Sequence, residues 1–141
     1  MDHFPNTKRN QTHDIMKTII TTDKAPAPIG PYNQAILANG TLYLSGQVAF
    51  DPATMELING SVEDEAGQVM KNLEAVLAAA NMTFEHVVKT SIFLKDMNDF
   101  ARVNQVYASY FDDKTAPARE TVAVANLPKF VKVEISMIAV K

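Results

Sequence analysis

Two charged residues near the end of the chain have the types and surroundings that catalysis requires. Arg119 opens a β-branched run, and Glu134 lies within a second run that is otherwise almost entirely apolar. An arginine presents a rigid, permanently charged fork that binds a carboxylate through two hydrogen bonds. A glutamate in a buried strand needs a partner or a chemical role, because an unpaired charge is costly to bury. The pair suggests a site that binds a carboxylate and activates water.

Each of these two charges also has a purely structural interpretation. Side chains alternate along a strand, so Arg119 shares a face with Thr121 while Glu120 points to the other side. Arginines are usually solvated or paired with a nearby carboxylate, so Arg119 could form only a structural salt bridge. Glu134 could likewise pair with Lys132 or with a neighbouring strand. The residues alone leave both interpretations open.

Three further polar residues occupy positions from which they could line a cleft. Tyr32 follows a loop that contains three prolines and a glycine, which can form neither helix nor sheet. Ser45 lies on the strand face opposite Leu42 and Leu44. Asn104 interrupts the apolar face of a predicted helix. Buried amides usually satisfy backbone groups, so Asn104 alone indicates no chemistry.

Composition excludes several other kinds of site. The chain of 141 residues contains no cysteine, which excludes disulfides, thiolate metal sites and thiol nucleophiles. Its histidines, His3, His13 and His86, lack metal-ligand spacing, and no serine has a credible His–Asp partner. The five glycines form neither a phosphate-binding loop nor a dinucleotide fingerprint. We therefore expect no metal and no cofactor.

The overall composition indicates one domain whose partners are small molecules or other protein chains. The formal net charge of -3 argues against a general nucleic-acid or anionic-membrane surface, and no apolar run is long enough to span a bilayer. Residues 1–15 are polar, aperiodic and without the apolar core of a secretion signal. We expect a flexible N-terminal extension over 1–15, a single domain over 16–141, no membrane association and a cytoplasmic location.

The hydrophobic pattern predicts the element order β-ββ-α-β-α-β-β. Asn39-Gly40 lies between two strand-like runs and predicts a two-residue hairpin turn with positive φ. Residues 61 to 81 keep helical spacing, with a helix start at Ser61. The predicted strands cover residues 16–22, 33–38, 41–49, 87–94, 118–125 and 131–140.

The predicted connections define the fold class. Asp96 or Asn98 is expected to cap a second helix, whose apolar face includes Phe100, Val103 and Tyr107. Right-handed crossovers place successive helices on the same side of a sheet, so we predict an α+β fold with a mixed sheet and both helices on one face. The opposite face has no predicted cover, and we expect it to pack against another subunit.

The chain resembles the RidA (YjgF-type) family over residues 16–141. Several ordered motifs together carry the resemblance. They are Ala25-Pro26 with Ile29-Gly30-Pro31-Tyr32, Leu44-Ser45-Gly46-Gln47, Val88-Lys89-Thr90 with Leu94-Lys95-Asp96, Asp99-Phe100 with Val103-Asn104, Pro117-Ala118-Arg119 with Leu127-Pro128, and Val133-Glu134-Ile135. The resemblance implies a chorismate-mutase-like sheet assembled as a homotrimer, with active clefts between adjacent subunits.

The same resemblance implies a cofactor-free reaction, the hydrolysis of 2-imino acids such as 2-iminopropanoate and 2-iminobutanoate to 2-oxo acids and ammonia. Arg119 would clamp the substrate carboxylate, and Glu134 would orient or deprotonate the water. The implied substrate-binding residues are Tyr32, Ser45, Gly46, Asn104 and Thr121, the last through its backbone. Two positions depart from the family pattern, because many relatives carry a small residue and then often a cysteine where this chain has Glu120 and Thr121.

Two other functions are alternatives to the deaminase. One is a non-catalytic trimeric module that binds small carboxylates or a protein partner, because relatives with the same fold and no deaminase activity exist. The other is RNA cleavage or translation inhibition, as reported for some relatives. The net negative charge and the lack of a histidine pair disfavour this second alternative, and no nucleic-acid partner is expected.

Overall fold

One mixed sheet of six strands runs through the computed structural model, which describes residues 16–141. The strands are β1 (Lys17–Ile20), β2 (Ala35–Ala38), β3 (Thr41–Gln47), β4 (Val87–Leu94), β5 (Ala118–Ala123) and β6 (Val133–Val140). Their order across the sheet is β1-β2-β3-β6-β4-β5. Neighbours are antiparallel except for β4 and β5, which are parallel. The expected N-terminal extension, residues 1–15, lies outside the described residues.

Two helices, α1 (Val62–Ala79) and α2 (Phe100–Ala108), complete the predicted element order. The Ser61 side chain accepts the N–H of Asp64 at 3.1 Å, as expected of a helix cap. Asp96 caps a 3-10 turn that precedes α2, because its carboxylate accepts the N–H of Asn98 at 2.9 Å. The α1 helix ends slightly before the predicted Asn81, which adopts a φ of 59°.

The hairpin prediction is confirmed, whereas several strands are shorter than predicted. Asn39 and Gly40 have φ values of 51° and 80°, which a two-residue turn of this type requires. β1 ends before Thr22, because the Thr22 N–H donates to the Gln34 side chain at 2.7 Å instead of joining the sheet. β6 begins only at Val133, after a turn in which residues 129 and 130 also have positive φ.

The main core lies between the sheet and the two helices. On each strand, the side chains that alternate toward the helices are buried, and each helix buries its apolar face against them. The sheet contributes Leu42, Ile92, Leu94, Ile135 and Met137, and the helices contribute Val69, Leu73, Val76, Leu77 and Val103. The predicted α+β class, with both helices on one face, is therefore confirmed.

The opposite face of the sheet is covered at one end and open elsewhere. A second small apolar cluster consists of Val48, Leu127 and Val131, with Phe93 packed against it. The segments that follow β3 and β5 fold across the sheet there, so the expectation of an entirely uncovered face is wrong at this end. Elsewhere the face remains accessible, and 51% of Tyr43 is exposed.

Candidate functional site

Arg119 lies on the helix side of β5, the strand at one edge of the sheet. Its register partner on β4 is Thr90, which is completely buried beneath the helices. The guanidinium Nη1 donates a hydrogen bond to Asn104 Oδ1 at 2.8 Å. The amide that interrupts the apolar face of α2 therefore serves the arginine and not the backbone.

Two aromatic rings of α2 lie against the same guanidinium group. The Arg119 Cζ atom is 4.9 Å from the ring centroid of Tyr107 and 5.8 Å from that of Phe100, within the range of cation–π attraction. We call Arg119, Asn104, Tyr107 and Phe100 the arginine cluster. A cavity of about 400 Å³ adjoins it and is lined by Asn104, Tyr107, Ala108, Phe111, Asp113, Ala116, Pro117 and Arg119.

The arginine keeps unused hydrogen-bonding capacity at this cavity. Within residues 16–141, Arg119 forms no ion pair, and Asn104 is its one side-chain hydrogen-bond partner. A guanidinium has five N–H donors, so Nε and Nη2 remain available as an edge that matches a carboxylate. The structural salt bridge that the sequence left open is thus not found in the described part of the chain.

Glu134 lies on the other face of the sheet, because its neighbours Val133 and Ile135 both point into the main core. Its carboxylate rests against Gly46 of β3, where a Cβ atom would come within 2.5 Å of Glu134 Oε2. Glycine at position 46 is therefore needed for the carboxylate to occupy this place. Partial burial raises the pKa of Glu134 above its ordinary value.

Lys132, which the sequence suggests as an ion-pair partner for Glu134, pairs with a different carboxylate. Lys132 Nζ lies 3.6 Å from Glu65 Oε2, and the Lys132 N–H donates to Glu65 Oε1 at 3.0 Å. Glu65 is buried on α1, so this contact ties the start of β6 to the helix. No ion pair involves Glu134 within the part of the chain that the structure describes. Its carboxylate is therefore left without a compensating cation there.

Tyr32 lines the same small cavity as Gly46, and Ser45 precedes Gly46 on β3, so we call Glu134, Gly46, Tyr32 and Ser45 the glutamate cluster. The Ser45 hydroxyl donates to the Asn33 carbonyl at 2.6 Å, and the Tyr32 hydroxyl accepts the N–H of Ile29 at 3.3 Å. A small cavity of about 40 Å³ is lined by Pro26, Ala27, Ile29, Tyr32, Gln34, Gly46, Gln47, Val48 and Phe50.

Gln34 organises the loop that carries Tyr32, and no pattern in the sequence indicates this role. This side chain is only 2% exposed. Its Nε2 donates to the carbonyls of Thr22, Ala25 and Pro26 at 3.0, 3.2 and 2.8 Å. A proline-rich loop cannot satisfy its own carbonyls by regular pairing, so one buried amide satisfies them and fixes the loop. A glutamine beside a strand is too common for its type to reveal this role.

Glu120 and Thr121, the two departures from the family pattern, point to opposite faces as predicted. Glu120 pairs with Lys89 Nζ at 2.8 Å and accepts a hydrogen bond from the Ser91 hydroxyl. The hydrogen bond with Lys89 lowers the pKa of Glu120 most, and the hydrogen bond with Ser91 lowers it further. Thr121 is the register partner of Ile92 and so shares the helix side with Arg119. Its buried Oγ1 has no hydrogen-bond partner within residues 16–141.

Comparisons with known proteins agree with this architecture. A family model described as Endoribonuclease L-PSP matches residues 22–141. The 2-iminobutanoate/2-iminopropanoate deaminase of Mus musculus is 49% identical over 127 residues, which are 90% of this chain and 93% of the mouse protein. A crystal structure of a Rid-family protein, YyfA of Yersinia pestis, has a TM-score of 0.86 at 46% identity and covers 89% of this chain and 99% of its own. The chain belongs to the RidA family.

Other RidA-family relatives carry different names. A RutC family protein of Synechocystis is 60% identical over 123 residues, 86% of this chain and 95% of that protein. The crystal structure of E. coli TdcF with bound serine has a TM-score of 0.83 at 40% identity and covers 88% of this chain and 98% of its own. Membership of the RidA family therefore establishes the fold, whereas the names of these relatives do not agree on one reaction.

Within residues 16–141, no group of three His, Asp or Glu side chains could hold a metal ion, and no helix could span a membrane. The arginine cluster has a free guanidinium edge whose geometry matches a carboxylate, and the glutamate cluster has a carboxyl whose pKa is raised by burial. The two clusters lie on opposite faces of the sheet, so a single chain does not bring the two charges to one substrate.

Proposed function

We propose that this protein hydrolyses small 2-imino acids to 2-oxo acids and ammonia, at sites shared between subunits of a homotrimer. The observation that carries the proposal is the Arg119 guanidinium, held by Asn104 at 2.8 Å with a free edge beside a cavity of about 400 Å³. That edge binds the substrate carboxylate through two charge-assisted hydrogen bonds. Binding there fixes the imine carbon for attack by water.

Glu134 is the proton carrier of the proposed reaction. Its raised pKa brings a carboxylate closer to the basicity that proton abstraction from water needs. Glu134 takes one proton from water as the water oxygen bonds to the imine carbon, the C=N π electrons move to nitrogen, and Glu134 passes that proton to the nitrogen. The resulting carbinolamine then collapses: its hydroxyl proton passes through Glu134 to the nitrogen, the C=O bond forms as the C–N bond breaks, and the 2-oxo acid and ammonia leave. No cofactor or covalent intermediate is required.

The separation of the two clusters motivates the shared site. Arg119 and Thr121 face the helix side at one edge of the sheet, whereas Glu134 lies on the other face. In a cyclic trimer, each subunit can offer its arginine cluster to one neighbour and its glutamate cluster to the other. Tyr43 and other accessible side chains on the open face supply apolar area for such an assembly.

Two relatives support a small carboxylate as the ligand. The mouse relative is named for the deamination of 2-iminobutanoate and 2-iminopropanoate, and the E. coli relative binds serine. All three molecules carry a carboxylate beside a carbon that bears nitrogen. This shared chemistry matches a guanidinium edge with a polar cleft next to it.

The test is an assay in which an amino-acid oxidase generates the imine while release of the 2-oxo acid is followed. We expect the protein to accelerate release, and Arg119→Ala to reduce kcat/KM by about 100-fold or more through loss of two charge-assisted hydrogen bonds. Arg102→Ala is the matched control, because Arg102 binds Glu63 and Asp99 on the surface away from this site. Its activity should stay within about twofold of wild type.

Other outcomes of this test distinguish the alternatives. An absence of acceleration, or full activity in Arg119→Ala, contradicts the deaminase proposal. Binding of 2-oxobutanoate that requires Arg119, without any turnover, would instead identify a non-catalytic carboxylate-binding module. The family model's description makes RNA cleavage the competing assay. Cleavage of RNA that survives Arg119→Ala would assign the activity to a different site.

A further inference from the structure

One face of α2 packs against the Arg119 side chain, and we call this face the seat of Arg119. Phe100, Asn104 and Tyr107 follow one another at helical spacing, so all three project toward β5. Asn104 binds the Nη1 corner of the guanidinium, while the two rings lie against it at 4.9 Å for Tyr107 and 5.8 Å for Phe100. Asn104 and the two rings thereby restrict the arginine side chain. The guanidinium atoms Nε and Nη2 stay free to bind a ligand.

Tyr107 is itself held rigidly in this seat. The residue is only 5% exposed, and its hydroxyl donates to Thr90 Oγ1 at 3.1 Å inside the core. Its ring also packs against Phe111, with the centroids 4.7 Å apart. Thr90 is the register partner of Arg119 on the adjacent strand, so the hydroxyl bond anchors the ring to the strand beside the arginine.

We propose that Tyr107, assisted by Phe100, is a positioning residue that orders the Arg119 guanidinium before substrate arrives. A free arginine side chain loses rotamer freedom when it binds a ligand. Ordering it in advance removes that loss from the binding step. Tyr107 thus strengthens carboxylate binding through Arg119 and not through the reacting atoms. The role of the bound carboxylate in catalysis rests on the proposed function, whereas the ordering of Arg119 does not.

Nuclear magnetic resonance on the ligand-free protein tests the ordering directly. The Arg119 Nε–Hε resonance is assigned by its loss in Arg119→Lys. In wild type we expect this proton to be shifted upfield by the ring currents and the N–H vector to be ordered. Tyr107→Leu should remove both effects, and Tyr107→Phe should keep most of the shift because it keeps the ring. An unchanged shift and order in Tyr107→Leu would overturn the proposal.

Two further variants guard against a general loss of structure. Tyr110→Leu removes a partly buried tyrosine that packs against Phe84, with centroids 5.3 Å apart, and is not part of the arginine cluster. It should leave the Arg119 resonance unchanged. Phe100→Leu tests the seat if Tyr107→Leu does not fold, because Phe100 is 38% exposed and contributes less to the core. A Phe100→Leu spectrum identical to wild type would then count against the seat.

Ligand binding separates this inference from the proposed function. Titration with 2-oxobutanoate should show a Kd about 3- to 30-fold higher in Tyr107→Leu, the range expected for a lost cation–π contact. In turnover, KM should rise while kcat changes much less. A Kd within twofold of wild type would contradict the positioning role. If wild type binds 2-oxobutanoate without hydrolysing imines, the proposed function fails, and the Kd and resonance data still decide the role of Tyr107.

Discussion

At the scale of single residues, the environment of Glu134 predicts how activity depends on pH. Burial raises the pKa of its carboxyl, and the proposed base must be ionised to accept a proton. We therefore expect kcat/KM to fall as pH decreases through this raised pKa, in a range above the ordinary pKa of glutamate. Glu134→Gln should lower kcat/KM by about 10²- to 10⁴-fold and abolish this acidic limb. An acidic limb that persists in Glu134→Gln would assign it to another group.

The raised pKa of Glu134 also predicts an effect on stability. A carboxyl whose pKa is higher in the folded chain stabilises the fold while protonated, and this contribution is lost as pH rises through the folded-state pKa. The ionised group is therefore destabilising at neutral pH. Glu134→Gln should raise the free energy of unfolding at neutral pH, with the difference vanishing below the ordinary glutamate pKa. Urea denaturation at the two pH values measures this, and lower stability of the variant at neutral pH would contradict it.

A substitution at Thr121 tests whether the substrate contacts the backbone or the side chain of this residue. Its buried Oγ1 lacks a partner within residues 16–141, and removing an unsatisfied hydroxyl is neutral or stabilising. We expect Thr121→Val to leave the free energy of unfolding unchanged or to raise it by up to about 1 kcal/mol. KM should not change if only the backbone binds the imine nitrogen. An increase in KM of tenfold or more would show that substrate uses the hydroxyl.

The sequence predicts the role of a residue only where that role depends on its immediate neighbours along the chain. Strand alternation separated Arg119 from Glu120 correctly, because alternation is a property of the backbone. The roles of Gln34 and Tyr107 depend on partners that lie 8 to 17 positions away along the chain. No local pattern brings such partners together, so these two residues were recognised only in the folded chain.

At the scale of elements, Gln34 fixes the loop between β1 and β2. Replacing it by leucine would leave three loop carbonyls without their amide donor in a buried position. We expect Gln34→Leu to lower the free energy of unfolding by about 2–4 kcal/mol, measured by urea denaturation. KM should also rise, because Tyr32 loses its support. Gln105→Leu on the exposed side of α2 is the control and should change stability by less than about 0.5 kcal/mol.

Element boundaries show which sequence signals are sufficient on their own. The Asn39-Gly40 turn and the range of β4 were predicted correctly, because turn chemistry and a β-branched run act locally. β6 begins at Val133, later than the predicted start at Val131. The positive φ values of Lys129 and Phe130 delay it, and neither residue type signals such a conformation. Boundaries set by irregular turns therefore could not be read from the sequence.

At the scale of the whole molecule, the open part of the sheet is the surface that an assembly would use. Polar and apolar side chains mix there: Tyr43 is about half exposed, and Lys89, Ser91 and Glu120 form a linked group on the same face. A monomer would leave both the arginine cluster and the glutamate cluster incomplete. A trimer would complete three sites at once, which makes assembly and activity inseparable in the proposed mechanism.

Mixed assemblies test this geometry. Arg119→Ala and Glu134→Gln chains, each nearly inactive alone, can be co-expressed with different tags and purified as assemblies containing both. If each site takes Arg119 from one chain and Glu134 from its neighbour, a trimer that contains both variants recovers about one third of its sites. Co-expressing Arg119→Ala with Asn104→Ala is the control and should restore no intact site, because both residues belong to the arginine cluster of one chain. An absence of recovery in assemblies that carry both tags would place the complete site within a single chain.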